Sequence, residues 1–159
     1  MHNENIHLNW QQKGWYADGT FTRNDFGGWQ GRDTGRAKEW LPKIQWIGGA
    51  AAGYRNDKVN VWYRLNYLNE TISSLGNINP NTYLATDQDY ITDRYTHQAQ
   101  ADSRLNARWS FNGSASYQDY TRSTQTTILN TQTGDRRLSP GAGEHDVSKF
   151  AMAFFRGTA

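Results

Sequence analysis

The side chains that could do chemistry in this sequence are four histidines, scattered carboxylates, and arginines interleaved with aromatic rings. The histidines are His2, His7, His97 and His145. No two of them stand at i and i+4, and no HExxH occurs, so the helical zinc-protease arrangement is absent. Cys 0 removes thiolate ligands, disulfides and thiol nucleophiles. Glu144-His145-Asp146 imitates a site, but a lone Gly-flanked tripeptide reads as a polar loop. Asp87, Asp89 and Asp93 gather in the stretch 86–93, which reads as a loop. The first two have calcium-loop spacing, yet the Gly needed at position 6 and the Glu needed at position 12 are missing. No GxSxG, Walker loop or GxGxxG opening a helix occurs. The small-residue run 48–53 is followed by neither a Lys nor a helix, so it binds no phosphate by that route. No two carboxylates can be placed on facing strands as a glycosidase pair. The sequence therefore predicts no enzyme, no metal site and no cofactor.

Recognition has better material. The segments between the regular elements carry Trp29, Arg32, Arg36, Trp40, Tyr83, Tyr90, Arg94, Arg136 and Arg137. Aromatic faces stack on flat or sugar-like ligands, and guanidinium groups bind anions through two donors at once. Surface loops are the usual carriers of such residues. The candidate ligand-binding set is Trp29, Arg32, Arg36, Trp40, Tyr83, Tyr90, Arg136 and Arg137. The plainer reading is a headgroup-level aromatic belt with cations facing lipopolysaccharide. That reading fits Arg94, beside a strand, best.

What must position them is read from composition and period. The chain has 159 residues, enough for one domain. It is polar, with 36% hydrophobic residues, yet holds 7 Trp, 9 Tyr and 6 Phe. A disordered chain is poor in aromatics, so disorder is disfavoured. The formal charge of +2 is too small and too scattered for a nucleic-acid footprint. No run of about 18 apolar residues exists, which excludes a transmembrane helix. The first residues, Met1 to Asn5, show neither a charged n-region nor an apolar h-region. For a protein that works outside the cytoplasm, the chain then reads as a mature form or a piece of something longer.

Helical periodicity is absent, while period 2 recurs. Val59, Val61, Tyr63, Leu65 and Tyr67 alternate with Asn60, Trp62, Arg64 and Asn66, the pattern of an amphipathic strand. The same alternation predicts strands over 6–11, 15–22, 44–55, 94–105, 109–122 and 147–156, the last on the apolar residues Phe150, Met152 and Phe154. Short connections fall near Lys13-Gly14, Asn56-Asp57-Lys58 and Asn106-Ala107-Arg108. Long ones fall at about 24–43, 73–92 and 129–146. Tight turns at one end, elaborated loops at the other and aromatics near strand ends are what an outer-membrane barrel requires. Lipid offers no hydrogen bonds, so every backbone group must pair within the sheet.

The segments 51–67 and 104–122, each a strand, a few polar turn residues and a second strand with outward aromatics, resemble barrel hairpins of TonB-dependent outer-membrane receptors. The resemblance covers about residues 4–157 and is one of style rather than of invariant motif. It implies an all-β, antiparallel up-and-down meander forming part of a transmembrane β-barrel, with short periplasmic turns and long extracellular loops. It implies a single segment of six or seven barrel strands, with no plug domain among these residues. The function implied is nutrient uptake of the siderophore, cobalamin or oligosaccharide class across the outer membrane. The partners implied are outer-membrane lipid, a small nutrient ligand and a TonB-like energy-coupling protein acting through a plug that this chain lacks. Two other classes stay open on the residues alone. One is a small complete outer-membrane barrel in adhesion or envelope structure. The other is a soluble β-sheet carbohydrate-binding domain.

Overall fold

Alternation of apolar and polar residues carries through the chain as a single sheet. The computed structural model describes residues 2–31, 35–106, 108–141 and 143–158. The strands are β1 (His2–Gln12), β2 (Trp15–Phe26), β3 (Lys43–Arg55), β4 (Val59–Ser74), β5 (Leu84–Arg104), β6 (Ser110–Asn130), β7 (Arg136–Leu138) and β8 (Val147–Thr158). No helix occurs among the described residues. Each strand from β1 to β6 pairs antiparallel with the next, an uninterrupted meander. β7 and β8 then share the free side of β6, β7 along residues 127–129 and β8 along residues 112–123. The sheet is open, with β1 at one edge and β8 at the other.

The turns follow from local chemistry. Lys13 and Gly14 both have positive φ, 48° and 86°, the two-residue turn whose twist matches antiparallel strands. Asn56 closes the second short turn by accepting the amides of Lys58 and Val59 at 2.9 and 2.8 Å. Asn106 does the same in the third, accepting from Arg108 and Trp109 at 2.8 and 3.0 Å. An Asx turn supplies locally the hydrogen bonds that the ladder cannot.

Directly opposed residues share a face, so the registers sort every strand residue. One face gathers Ile6, Leu8 and Trp10 of β1 and Trp15, Ala17 and Phe21 of β2. It continues through Ala50, Ala52, Tyr63, Leu65, Tyr67, Tyr95, Ala99, Ala115 and Tyr117 to Ala153 and Phe155. The other face is polar. Asn3, Asn24, Gln45 and Glu70 form a hydrogen-bonded row across four strands, with Asn3 donating to Asn24 at 2.8 Å and Asn24 to Gln45 at 3.3 Å. Nearer the short turns, Asn60, Gln100 and Asn112 all donate to Asp102.

Neither face is covered by a second layer. Ala51 and Ala85 are the only buried hydrophobic residues among those described, while Ile6, Leu8, Trp10, Tyr63 and Phe155 stand exposed. The polar face is the more crowded one. Gly53 is buried there under the ring of Tyr16, which would lie 2.5 Å from an added Cβ.

Three expectations change against this fold. Residues 84–93 belong to β5, not to a loop, and residues 123–130 extend β6. Over 86–89 and 123–127 both faces carry polar residues, so period 2 in hydropathy vanishes there while the backbone pairing continues. Arg136 to Leu138, expected as loop, form β7, so the sheet has eight strands rather than six or seven. In β8 the apolar trio Phe150, Met152 and Phe154 lies on the polar face, opposite Tyr120, Gln118 and Ser116, while Ala151, Ala153 and Phe155 continue the apolar one.

Candidate functional site

The three long connections meet at the end of the sheet where β5 and β6 extend furthest. Their meeting point is Asp87, fully buried on β5. Its Oδ1 accepts from Arg36 Nη1 at 3.0 Å and from the Gly76 amide at 3.2 Å. Its Oδ2 accepts from Arg36 Nη2 and from Arg136 Nη2, each at 2.8 Å. Arg36 stands in the β2–β3 connection, Gly76 in the β4–β5 connection, and Arg136 opens β7. Arg36 Nη1 also donates to the Gly76 carbonyl at 3.1 Å. One carboxylate thus joins three separate segments through charge-assisted bonds, one of them bidentate. Burial of the carboxylate is tolerable because both oxygens are satisfied and two cations oppose it.

Gly76 is required at this junction. A Cβ there would lie 2.1 Å from the Thr86 carbonyl oxygen, so no larger residue lets the connection approach β5 this closely.

Trp29 and Trp40 form a second feature of the β2–β3 connection. They exchange both backbone hydrogen bonds, at 3.0 and 2.9 Å, as an isolated antiparallel bridge. Their rings meet edge to face with centroids 6.0 Å apart. Both stay more than half exposed, at 53% and 66%. Glu39 lies nearby, its carboxylate 3.6 Å from where a Cβ on Gly31 would sit. An exposed aromatic pair beside a carboxylate is a surface on which a flat or sugar-like ring can stack.

The remaining expected residues are dispersed. Tyr83 has φ 56° and ties the β4–β5 connection to the segment after β6, its carbonyl accepting from Thr131 N and Oγ1, both at 2.9 Å. Tyr90 lies on β5, donates to Gln88 at 2.7 Å, and has the Arg122 guanidinium 5.7 Å from its ring centre. Arg137 lines a cleft of about 250 Å³ with Leu84, Ile128, Asn130 and Asp135. Arg32 lies outside the described residues. The structure therefore brings Arg36 to Arg136 and Trp29 to Trp40, and places Tyr83, Tyr90 and Arg137 apart from both pairs.

Asp87 and Gly76 were not among the expected binding residues. The only sequence signal for Asp87 was its spacing to Asp89 and Asp93, read against a calcium loop. On the strand, each of the three carboxylates has its own partners. Asp89 accepts from Ser73 Oγ at 2.6 Å, and Asp93 from Asn69 at 2.8 Å and Tyr67 at 3.2 Å. No group of three potential metal ligands occurs among the described residues. The 144–146 segment is bonded to its neighbours. His145 Nε2 lies 2.9 Å from the Ser139 carbonyl, and the Glu144 carbonyl accepts from Thr126 Oγ1 at 3.2 Å. Comparison with protein-family models, curated proteins and solved structures returns no match.

Proposed function

We propose that this chain forms part of the wall of an outer-membrane β-barrel of the TonB-dependent receptor type. In this reading the long connections face outward and take part in capturing a small nutrient. The observation that carries the reading is an exposed apolar band that crosses the sheet from β1 to β8 with no second layer packed on it. A water-soluble sheet buries its apolar face against a second layer. Here the face meets lipid, and the crowded polar face meets the lumen.

The dimensions support this assignment. From Val61 to Tyr67 the apolar band of β4 rises roughly 20 Å along the strand, near the ~25 Å band of outer-membrane barrels. Asn69, Asp93, Arg23 and Asp25 begin the polar collar above it. The upper aromatic rim steps down the ladder, from Trp46 opposite Asn69, through the paired Tyr67 and Tyr95, to Tyr117 opposite His97. A rim that descends against the register is what strands tilted by about 40° to the membrane normal produce.

In mechanism, the loop end holds ligand contacts, with the Trp29–Trp40 surface as the stacking element and the Asp87 junction fixing the loops that carry it. Passage through the lumen and coupling to a TonB-like partner belong to a plug that none of these residues is assigned to. The siderophore, cobalamin and oligosaccharide classes all fit an aromatic surface beside polar loops.

Refolding the chain with and without detergent or lipid, followed by circular dichroism and size exclusion, tests the reading. Detergent-dependent β structure is the expected result, with aggregation in plain buffer, because both edges and the apolar face are open. A monodisperse folded monomer in plain buffer would overturn it and leave a soluble sheet.

A further inference from the structure

We propose that the middle of the apolar face holds a binding site for an uncharged alcohol with a hydrocarbon body, its hydroxyl at His97 and its body in the groove alongside. The inference rests on the membrane reading above and adds to it a ligand that reaches the chain from within the lipid.

His97 is the exception within the apolar band. It stands on β5 between Leu65 of β4 and Tyr117 of β6, directly opposite both. An ionisable side chain at that depth is costly, and such residues mark binding or relay sites. One partner is in place, since the Tyr63 hydroxyl and His97 Nδ1 lie 2.7 Å apart. Tyr63 is on the same face, one row nearer the short turns, opposite Ala99. The bond orients the imidazole and leaves its other nitrogen, Nε2, without a partner among the described residues. The Tyr117 hydroxyl has none there either, on a ring whose centre is 6.0 Å from that of His97. Hydrocarbon supplies no water to satisfy these groups, and leaving them unbonded costs free energy.

The surroundings select the ligand. A cleft of about 110 Å³ lies at the imidazole, with His97 and Tyr117 in its lining. It adjoins a groove of about 880 Å³, and Tyr63, Ala99, Ala115 and Phe155 line both. By register these four share one face with His97 and Tyr117, so cleft and groove open on the same side of the sheet. The groove crosses the strands, from Tyr54 on β3 to Phe155 on β8, about 19 Å at the spacing of paired strands. Its bed between them is Val61, Ala101 and Gly113, which suits a hydrocarbon body. The polar end has to be uncharged. Arg156 is the one charged residue lining the groove, and it pairs with Ser114, so its side chain belongs to the polar face. Asp119, opposite Tyr95 on the apolar face, is the diagonal neighbour of His97 and opposes an anion. A hydroxyl both donates and accepts, so it satisfies Nε2 in either tautomer of the ring. A carbonyl serves only the tautomer with hydrogen on Nε2, and a hydrocarbon serves neither.

The test uses the whole chain, its histidines labelled with nitrogen-15, refolded into phosphatidylcholine vesicles with β structure checked by circular dichroism. Dodecanol, dodecane or dodecanoate is titrated in, and the imidazole nitrogens are read by solid-state NMR, with His97→Phe identifying the His97 signals. Dodecanol is expected to shift those signals saturably, half-maximal at a roughly fivefold lower membrane mole fraction than either other probe. Ala115→Phe, which fills the junction of cleft and groove, should keep the His97 signals and lose the saturable shift. Tyr63→Phe, which frees the imidazole, should weaken it. Equal responses to dodecanol and dodecane would overturn the site and leave the membrane reading standing. So would a saturable shift that persists in His97→Phe or is unchanged in Ala115→Phe. A stronger response to dodecanoate would overturn the uncharged alcohol and assign the site to an anion. Absence of β structure in any vesicle would overturn the membrane reading and this site with it.

Discussion

Arg36 holds Asp87 through both terminal nitrogens of its guanidinium, at 3.0 and 2.8 Å, across 51 positions of sequence. Arg136 adds one bond to the same carboxylate from the opposite side in sequence. The two arginines are unequal. Arg36 is the more buried, with its side chain 22% exposed against 47% for Arg136. Arg36→Ala leaves a buried carboxylate short of its bidentate partner and should cost about 3 kcal/mol. Arg136→Ala removes one half-exposed bond and should cost about 1 kcal/mol. Urea midpoints in lipid or detergent measure both. Asp87→Ala should release the loops together, so limited proteolysis should begin cutting within 27–42 and 75–83. Equal midpoints for the two arginine variants would show that the junction does not depend on the bidentate pair.

Gly76→Ala should be among the most damaging small substitutions in the chain. Its methyl group would overlap the Thr86 carbonyl, and backbone cannot step aside as a flexible side chain can. A loss of about 2 kcal/mol or more is expected. Gly27→Ala is the control, since a Cβ there meets nothing within 4 Å. It should stay within about 0.5 kcal/mol of the wild type. Thermal or urea unfolding of the two variants side by side decides the matter.

The two faces should respond oppositely to charge. Leu65 sits in the middle of the apolar band and Ser116 on the polar face. On the proposed membrane reading Leu65→Arg should cost ~2–4 kcal/mol in vesicles, the penalty for a cation near the midplane of an outer-membrane barrel's lipid face. Ser116→Arg places the same charge toward the polar side and should cost under about 1 kcal/mol. Comparable losses for both would remove the membrane assignment of the faces.

The Trp29–Trp40 pair has a spectroscopic signature of its own. Two indoles in fixed edge-to-face contact couple their transitions, and a couplet should appear in the far-ultraviolet dichroism of the folded chain. Trp29→Phe and Trp40→Phe should each abolish it while leaving the β signal intact. The packing lost should be about 0.5–1.5 kcal/mol. A couplet that survives either substitution would separate the two rings.

These relationships were unevenly visible in the sequence. The faces of β1 to β4 could be read because a strand half in contact with an apolar medium must alternate, as Ile6, Leu8 and Trp10 do. The short turns could be read because Lys13-Gly14 and the two Asn-led segments have few other uses. The first half of β5 could not. From Thr86 to Asp93 the strand stands beyond the apolar band, so hydropathy does not alternate, although every residue is paired with β6. β8 misled for the converse reason. Phe150 and Met152 are apolar on the polar face, with Phe150 packing on Tyr120 at 5.3 Å between ring centres. The Asp87 junction could not be assembled from the sequence, although Asp87, Arg36 and Arg136 each drew attention there, since its partners come from segments joined only through the folded sheet. Of the arginines expected in the long connections, Arg36 and Arg136 both bond Asp87.

The meander also sets how such a sheet can be assembled. Every pairing from β1 to β6 joins neighbours in the chain, so each new strand closes only a short segment onto the one before it. Low sequence separation of contacts favours rapid, stepwise growth over a search among distant partners. At each stage the last strand laid down presents a full row of unpaired amides and carbonyls, a template for the next arrival. Among the described residues β1 and β8 keep that property, each paired on one side only.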